Sequence, residues 1–320
     1  MPVLYLISPR SSVRKCGGRL IVEKEEALVA RVPIRMVTSV VVGRLAAATL
    51  PALFACMEEG VPVFFVDRRC NIVGQLAGER MTFSMLRCQF VYAEDEARSL
   101  ALAKPIVAEK LRGQYRLLKT YEKTVDDARI AKALRIVKPM RAKIARADTV
   151  DALRGMEGTC ARAYFAAFSA LLDEKVWGFH GRGGRPARDP VNALLNYGYA
   201  FLEREVRLAL IGHGLDVRIG FFHAIDGRRT SLVFDLMEPF RASLIDRFVL
   251  SLLRKGCLKP DDFETTKKDG CRLNDDARHI WYERYEGYME KDYQEYEGKT
   301  PRAYIDSYVE AFAQKLQQDL

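Results

Sequence analysis

The chain is poor in tryptophan and histidine, with two and four in 320 residues. Its seven cysteines (Cys16, Cys56, Cys70, Cys88, Cys160, Cys257 and Cys271) are scattered, and none forms a C-x-x-C pair. That spacing argues against a zinc knuckle or a disulfide framework, and reduced thiols fit a cytoplasmic protein. No apolar run reaches the length needed to cross a bilayer. In MPVLYLISPRSSVRK the charge follows the short apolar run instead of preceding it, which is not the order of a signal peptide. There is no internal repeat, and no H-x-x-x-H or H-E-x-x-H. Any metal site must therefore gather its ligands from distant segments.

What is present is an ordinary globular composition, 49% hydrophobic and 29% charged, long enough for two domains. The net charge is +9 and the pI near 9.2, which favours an anionic partner. The charge is concentrated: residues 101–150 hold thirteen Lys or Arg against five Asp or Glu. Arg112, Arg116, Lys119, Arg129, Lys132, Arg135, Lys138, Arg141, Lys143 and Arg146 fall here. They form either a solvated helix face or a surface for a nucleic-acid backbone. An anionic membrane surface has only the bulk charge in its favour and is set aside.

Up to about residue 80 the pattern is short and β-like. Val3–Ile7, Arg19–Glu23, Ala27–Val32, Ser39–Gly43, Val61–Asp67 and Ile72–Leu76 read as strands. Leu45–Glu59 reads as a helix closing at Gly60, with Pro51 as a kink. From Thr82 the period becomes helical, with helices expected over Ala97–Lys123, Asp126–Arg146, Leu153–Leu172, Val191–Gly212, Pro239–Lys255 and Asp276–Glu297. Trp177–Pro190, rich in Gly, Arg and Pro, reads as a loop. The expected class is α+β: a small, mainly β domain over 1–80, followed by a larger all-α domain over 81–320. The tyrosines of Trp281–Glu297 stand near helical spacing among acids, which suits a packed face better than a base-stacking platform.

The segment GFFHAIDGRRTSLVFDLMEPFR, Gly220 to Arg241, carries the chemistry. His223 stands twelve residues before Asp235 and fifteen before Glu238, with Arg228 and Arg229 between them. An imidazole with carboxylates makes a mixed N/O ligand set suited to a hard divalent ion, and the arginines suggest a phosphate substrate. The alternative is a satisfied core histidine. Asp235 and Glu238, three apart, share a helix side and need a cation between them, either a metal or Arg241. Glu157, between Gly155 and Gly158, is the best distant carboxylate. It is either a first-turn acid on a helix dipole or a ligand that the glycines leave open to approach.

The run from Asn196 to Arg241 resembles the core of the CRISPR-associated integrase family, the Cas-one proteins. RGMEG followed by Tyr164 and Phe165 matches the family's other glutamate motif, and Arg185, Pro186, Asp189, Asn192, Asn196 and Tyr199 fit as well. The resemblance spans essentially the whole chain. It implies Mg²⁺ or Mn²⁺ held by Glu157, His223 and Glu238, with Asp235 as an auxiliary acid. It also implies integration of short DNA into a CRISPR array by 3′-hydroxyl transesterification, and nuclease action on branched DNA at the same site. The implied partners are double-stranded and branched DNA, a second copy of the chain (paired through the β domain) and a companion Cas-two protein. Arg112, Arg116, Arg135, Arg141, Arg228, Arg229 and Arg241 are then expected at DNA phosphates. A non-catalytic DNA-binding scaffold and a plain metal-dependent nuclease are the competing readings.

Overall fold

A computed structural model describes residues 3–78, 81–184, 186–223, 230–267 and 269–318. The chain divides into two compact units, Met1–Arg80 and Met81–Leu320.

The first unit holds β1 (Val3–Leu6), β2 (Ser11–Cys16), β3 (Arg19–Lys24), β4 (Ala27–Pro33), β5 (Ser39–Gly43), β6 (Ala47–Ala48), α1 (Leu50–Glu58), β7 (Val63–Val66) and β8 (Ile72–Leu76). They form two four-stranded sheets, ordered β1-β5-β7-β8 and β4-β3-β2-β6. One core joins them, in which Leu6, Val13, Leu20, Val40 and Val63 pack with Ala52, Ala55 and Cys56 of α1. Two expectations are corrected here. Ser11–Cys16, not among the strands expected from the sequence, is a strand paired antiparallel with β3. The helix begins at Leu50 because Ala47–Ala48 pairs parallel with Ser12–Val13. Pro51 then falls in the first turn, where its missing N–H costs nothing, and produces no kink.

The second unit is helical, as expected, and begins with α2 (Phe83–Glu94), α3 (Glu96–Tyr121), α4 (Ala128–Lys143), α5 (Val150–Ser169) and α6 (Glu174–Trp177). It continues with α7 (Pro190–Gly212), α8 (Ser231–Phe240), α9 (Arg247–Arg254), α10 (Asp275–Met289) and α11 (Pro301–Gln318). A short antiparallel hairpin, β9 (Phe263–Thr266) and β10 (Gly270–Leu273), interrupts the expected all-α domain. Among the described residues no helix is long and apolar enough to cross a membrane.

The 3.6-residue period of α3 sets Leu100, Ala103, Val107 and Leu111 along one stripe. This stripe shares a core with Val137 of α4, Leu153 and Cys160 of α5, and Phe222. The core thus fixes α3, α5 and the segment before His223 together. The helical path 231–254 does not start at Pro239 but runs through it. Proline donates no hydrogen bond to the turn before it, and the backbone widens into a π turn over Arg241–Asp246 immediately afterwards. The Ser243 hydroxyl caps the Pro239 carbonyl at 2.9 Å.

α10 stops at Met289, short of the expected Glu297, and Gln294–Tyr296 forms a separate single turn. Trp281 and Tyr285 are buried and stacked at 6.2 Å, and Tyr288 stacks on Phe248 at 5.1 Å, so this segment is packing. α7 meets the π turn at Gly198, where a Cβ would stand 2.5 Å from Ile245 Cγ2 and 3.1 Å from Trp281. Gly198→Ala is therefore expected to destabilise the protein by about 1–3 kcal/mol in denaturant unfolding. Gly113→Ala on α3, whose Cβ would find its nearest atom at 3.5 Å, is expected to be close to neutral.

Candidate metal centre

Three chain segments bring the expected ligands together. Glu157 sits on α5, eight residues in, so it is not a first-turn acid on the helix dipole; Thr149 caps that end by accepting from Ala152 N at 3.1 Å. A Cβ added at Gly155 or Gly158 would meet nothing within 4 Å, so the helix face beside Glu157 is bare. Glu238 sits on α8, and His223 lies on the segment that precedes it.

Asp235 organises that segment. It is fully buried, and its Oδ2 accepts from the backbone N–H groups of Phe221 (2.6 Å) and Phe222 (2.9 Å). Its Oδ1 accepts from His223 N at 2.8 Å and faces His223 Nδ1 at 2.7 Å. A Cβ at Gly220 would lie 2.9 Å from Oδ2, so only glycine lets the chain come this close. Arg154 of α5 holds the Phe222 carbonyl, donating at 2.6 and 3.1 Å. With Nδ1 turned to the Asp235 carboxylate, Nε2 is the ring nitrogen left open, 3.9 Å from Glu238 Oε1, on a side chain 40% exposed. The bland reading of His223 as a core histidine does not describe this ring.

The residue that the sequence reading missed stands between the acids. Lys110 Nζ lies 2.5 Å from Glu157 Oε1 and 2.5 Å from Glu238 Oε2. Its side chain is 11% exposed, against 19% for Glu157 and 5% for Glu238. Burial opposes the ammonium charge, but Glu238 and Glu157 outweigh it and leave the lysine pKa raised. Burial likewise opposes the Glu238 charge, and Arg241 and Lys110 overcome it, drawing its pKa down to about 2. The available signal was position: Lys110 lies next to Leu111 and three residues after Val107, on the buried stripe of α3, where an unpaired lysine has no place.

Among the described residues no three His, Cys, Asp or Glu side chains are drawn together tightly enough to hold a metal ion as they stand. Lys110 stands between two of the expected ligands, Glu157 and Glu238. The donor set nevertheless fits a hard divalent ion. Two carboxylates from different helices already converge on one cation, with Glu157 Oε1 and Glu238 Oε2 both turned to it, and a histidine nitrogen is oriented beside them.

Arg241 donates from Nε to Glu238 Oε1 at 3.1 Å and lies over the Tyr199 ring at 4.5 Å. The arginine is thus the partner of Glu238, and Asp235 is satisfied separately. Behind it, buried Asp246 at the end of the π turn accepts from Tyr199 (2.6 Å) and Tyr164 (2.8 Å). Asp189 caps α7 by accepting from Asn192 N at 2.8 Å. Asn192 holds Gly181 O and Gly183 N, and Arg182 donates to Asn192 and Asn196 while lying over Phe165 and Tyr199. The glycine-rich loop is thereby tied to the same tyrosine as Arg241. Arg185, Arg228 and Arg229 lie outside the described residues.

The remaining expected phosphate contacts are spread along α3 and α4. Arg112 pairs with Glu109 at 2.6 Å, and Arg141 lies over Tyr115 at 5.5 Å. Arg116 and Arg135 are exposed, as are Lys132 and Lys138.

Burial pushes the Asp246 carboxyl up to about 6, against the two tyrosine hydrogen bonds. A folded-state pKa above the unfolded one stabilises fully below pH ~3.8, and that contribution is lost as pH rises through 6. Asp246→Asn is therefore expected to gain roughly 2–3 kcal/mol relative to the parent between pH 4 and pH 8. Urea unfolding of both proteins across that range checks it; a difference constant with pH contradicts it.

Comparison with known proteins adds an independent line. The family model described as CRISPR associated protein Cas1 matches residues 4–287. A protein of Thermus thermophilus named CRISPR-associated endonuclease Cas1 1 is 36% identical over 275 residues, covering 86% of this chain and 82% of the relative. A solved structure of a casposase bound to integration product superposes with a TM-score of 0.83 at 25% identity, covering all of this chain and 92% of that one. A Cas6-RT-Cas1–Cas2 complex superposes at 0.83 with 24% identity, over 99% of this chain and 35% of that one.

Proposed function

This chain belongs to the Cas1 family, and we propose that it is a metal-dependent DNA integrase and endonuclease of CRISPR adaptation. The observation that carries the proposal is the convergence of Glu157 and Glu238 on one cation position beside the oriented Nε2 of His223. Glu157, His223 and Glu238 are the proposed ligands of Mg²⁺ or Mn²⁺, and Asp235 is the acid that aims His223. An ion held by these residues would supply Lewis-acid polarisation of the scissile phosphate and stabilisation of charge on the leaving oxygen.

The reaction is the exchange of one phosphodiester for another. The 3′-hydroxyl of an incoming strand bonds to phosphorus at a repeat boundary, and the former 3′-oxygen leaves. Water in place of that hydroxyl gives strand cleavage. Arg241 keeps Glu238 ionised and fixed, and the exposed cations of α3 and α4 hold the DNA backbone. The casposase complex with integration product and the assembly of a Cas1 with a Cas2 support DNA joining and a Cas2-type companion for this chain. Pairing of two copies through the β unit, and action on branched DNA, belong to the same proposal.

A labelled short duplex with free 3′-ends, incubated with a repeat-bearing plasmid, Mn²⁺ and the companion, is expected to label the plasmid. Glu157→Ala, His223→Ala and 3′-blocked duplex are each expected to reduce labelling at least about a hundredfold. Survival of labelling in either variant removes that residue from the ligand set. Neutralising Arg116, Lys132, Arg135 and Lys138 together is expected to weaken duplex binding and to lower the salt slope by about one per lost phosphate contact. An unchanged slope returns α3 and α4 to a plain solvated face.

A further inference from the structure

We propose that Lys110 is the resident cation of the ligand set: its ammonium holds Glu157 and Glu238 together before metal arrives, and metal entry exchanges one cation for the other. This rests on the reading of those glutamates as ligands. Lys110 bridges carboxylates from two different helices at 2.5 Å each, from a third helix whose neighbouring side chains are core. Among the described residues Glu157 has no other ion pair, and Glu238 has only Arg241 and the more distant His223. Without the ammonium, Glu157 and Glu238 would face each other with only Arg241, paired to Glu238, to offset their repulsion.

An ion held by Glu157 and Glu238 together would occupy the space the ammonium fills. Two cations cannot share it, so the ammonium must leave. The lysine stem, a flexible four-carbon chain, allows that departure while α3 stays packed. Lys110 is thus a positioning residue with an opposing effect on affinity. It aims the carboxylates in the metal-free protein, and its displacement subtracts from metal binding. A purely structural salt bridge predicts the reverse, since removing it would loosen the ligands and weaken binding.

The test is Mn²⁺ titration calorimetry on Lys110→Met and Lys110→Gln beside the parent, with melting curves in EDTA and in Mn²⁺. Both variants are expected to melt lower than the parent in EDTA and to regain more on adding Mn²⁺. Both are also expected to bind Mn²⁺ at least about tenfold tighter. Lys110→Met folding only when Mn²⁺ is present supports the exchange. Lys110→Gln, whose amide still donates to one carboxylate, keeps the affinity measurement in hand if Lys110→Met does not fold at all. Mn²⁺ binding equal to or weaker than the parent's in a folded Lys110→Gln overturns the proposal. Glu157→Ala and Glu238→Ala separate this from the ligand reading: unchanged Mn²⁺ affinity there removes the ligands themselves, whatever Lys110 does.

Discussion

The buried carboxylate of Glu238 is the constraint on which the helical unit depends. An ionised acid at 5% exposure must have cations, and here Lys110 comes from α3 and Arg241 from the π turn. Each cation brings requirements of its own. Lys110 commits α3 to pass beside α8, and buried Gly113 faces the π turn, where an added Cβ would lie 3.5 Å from Ser243 N. Arg241 needs the π turn to direct its guanidinium back to Glu238 and onto Tyr199, which Asp246 holds in turn. The widened backbone after Pro239 is therefore part of the site's construction.

A second carboxylate, Asp235, does opposite work three residues away. Glu238 is partnered by two side-chain cations, Lys110 and Arg241, whereas Asp235 is saturated by three backbone N–H groups and an imidazole. The first is suited to give up its partner to an incoming ion. The second is suited to hold geometry while that happens. Two acids on one helix face thus differ in role because their surroundings differ, not because of their spacing.

Much of this was legible in the sequence. The strand pattern to residue 80, the helical period beyond it and the segment from Gly220 to Glu238 all carry local signals. Ser11–Cys16 escaped because only Val13 among its apolar side chains faces the core. The start at Pro239 was misread because proline usually opens a helix, and a π turn is invisible to a 3.6-residue period. The hairpin at 263–273 has strands of four residues, too short for alternation to register. Lys110 was hidden by its own neighbourhood: in a segment with thirteen basic residues, one on the buried stripe looks like the rest. Only the packing of α3 against α5 and α8 separates it from the surface charges.

The central claim is that Glu157, His223 and Glu238 converge on one cation position that Lys110 fills until metal displaces it. The most direct measurement is anomalous scattering from crystals of the protein soaked in Mn²⁺. The account predicts one strong peak at bonding distance from Glu157, His223 Nε2 and Glu238, with Lys110 Nζ withdrawn from between the carboxylates. A peak elsewhere, or Lys110 still bridging both glutamates beside a bound ion, would contradict it.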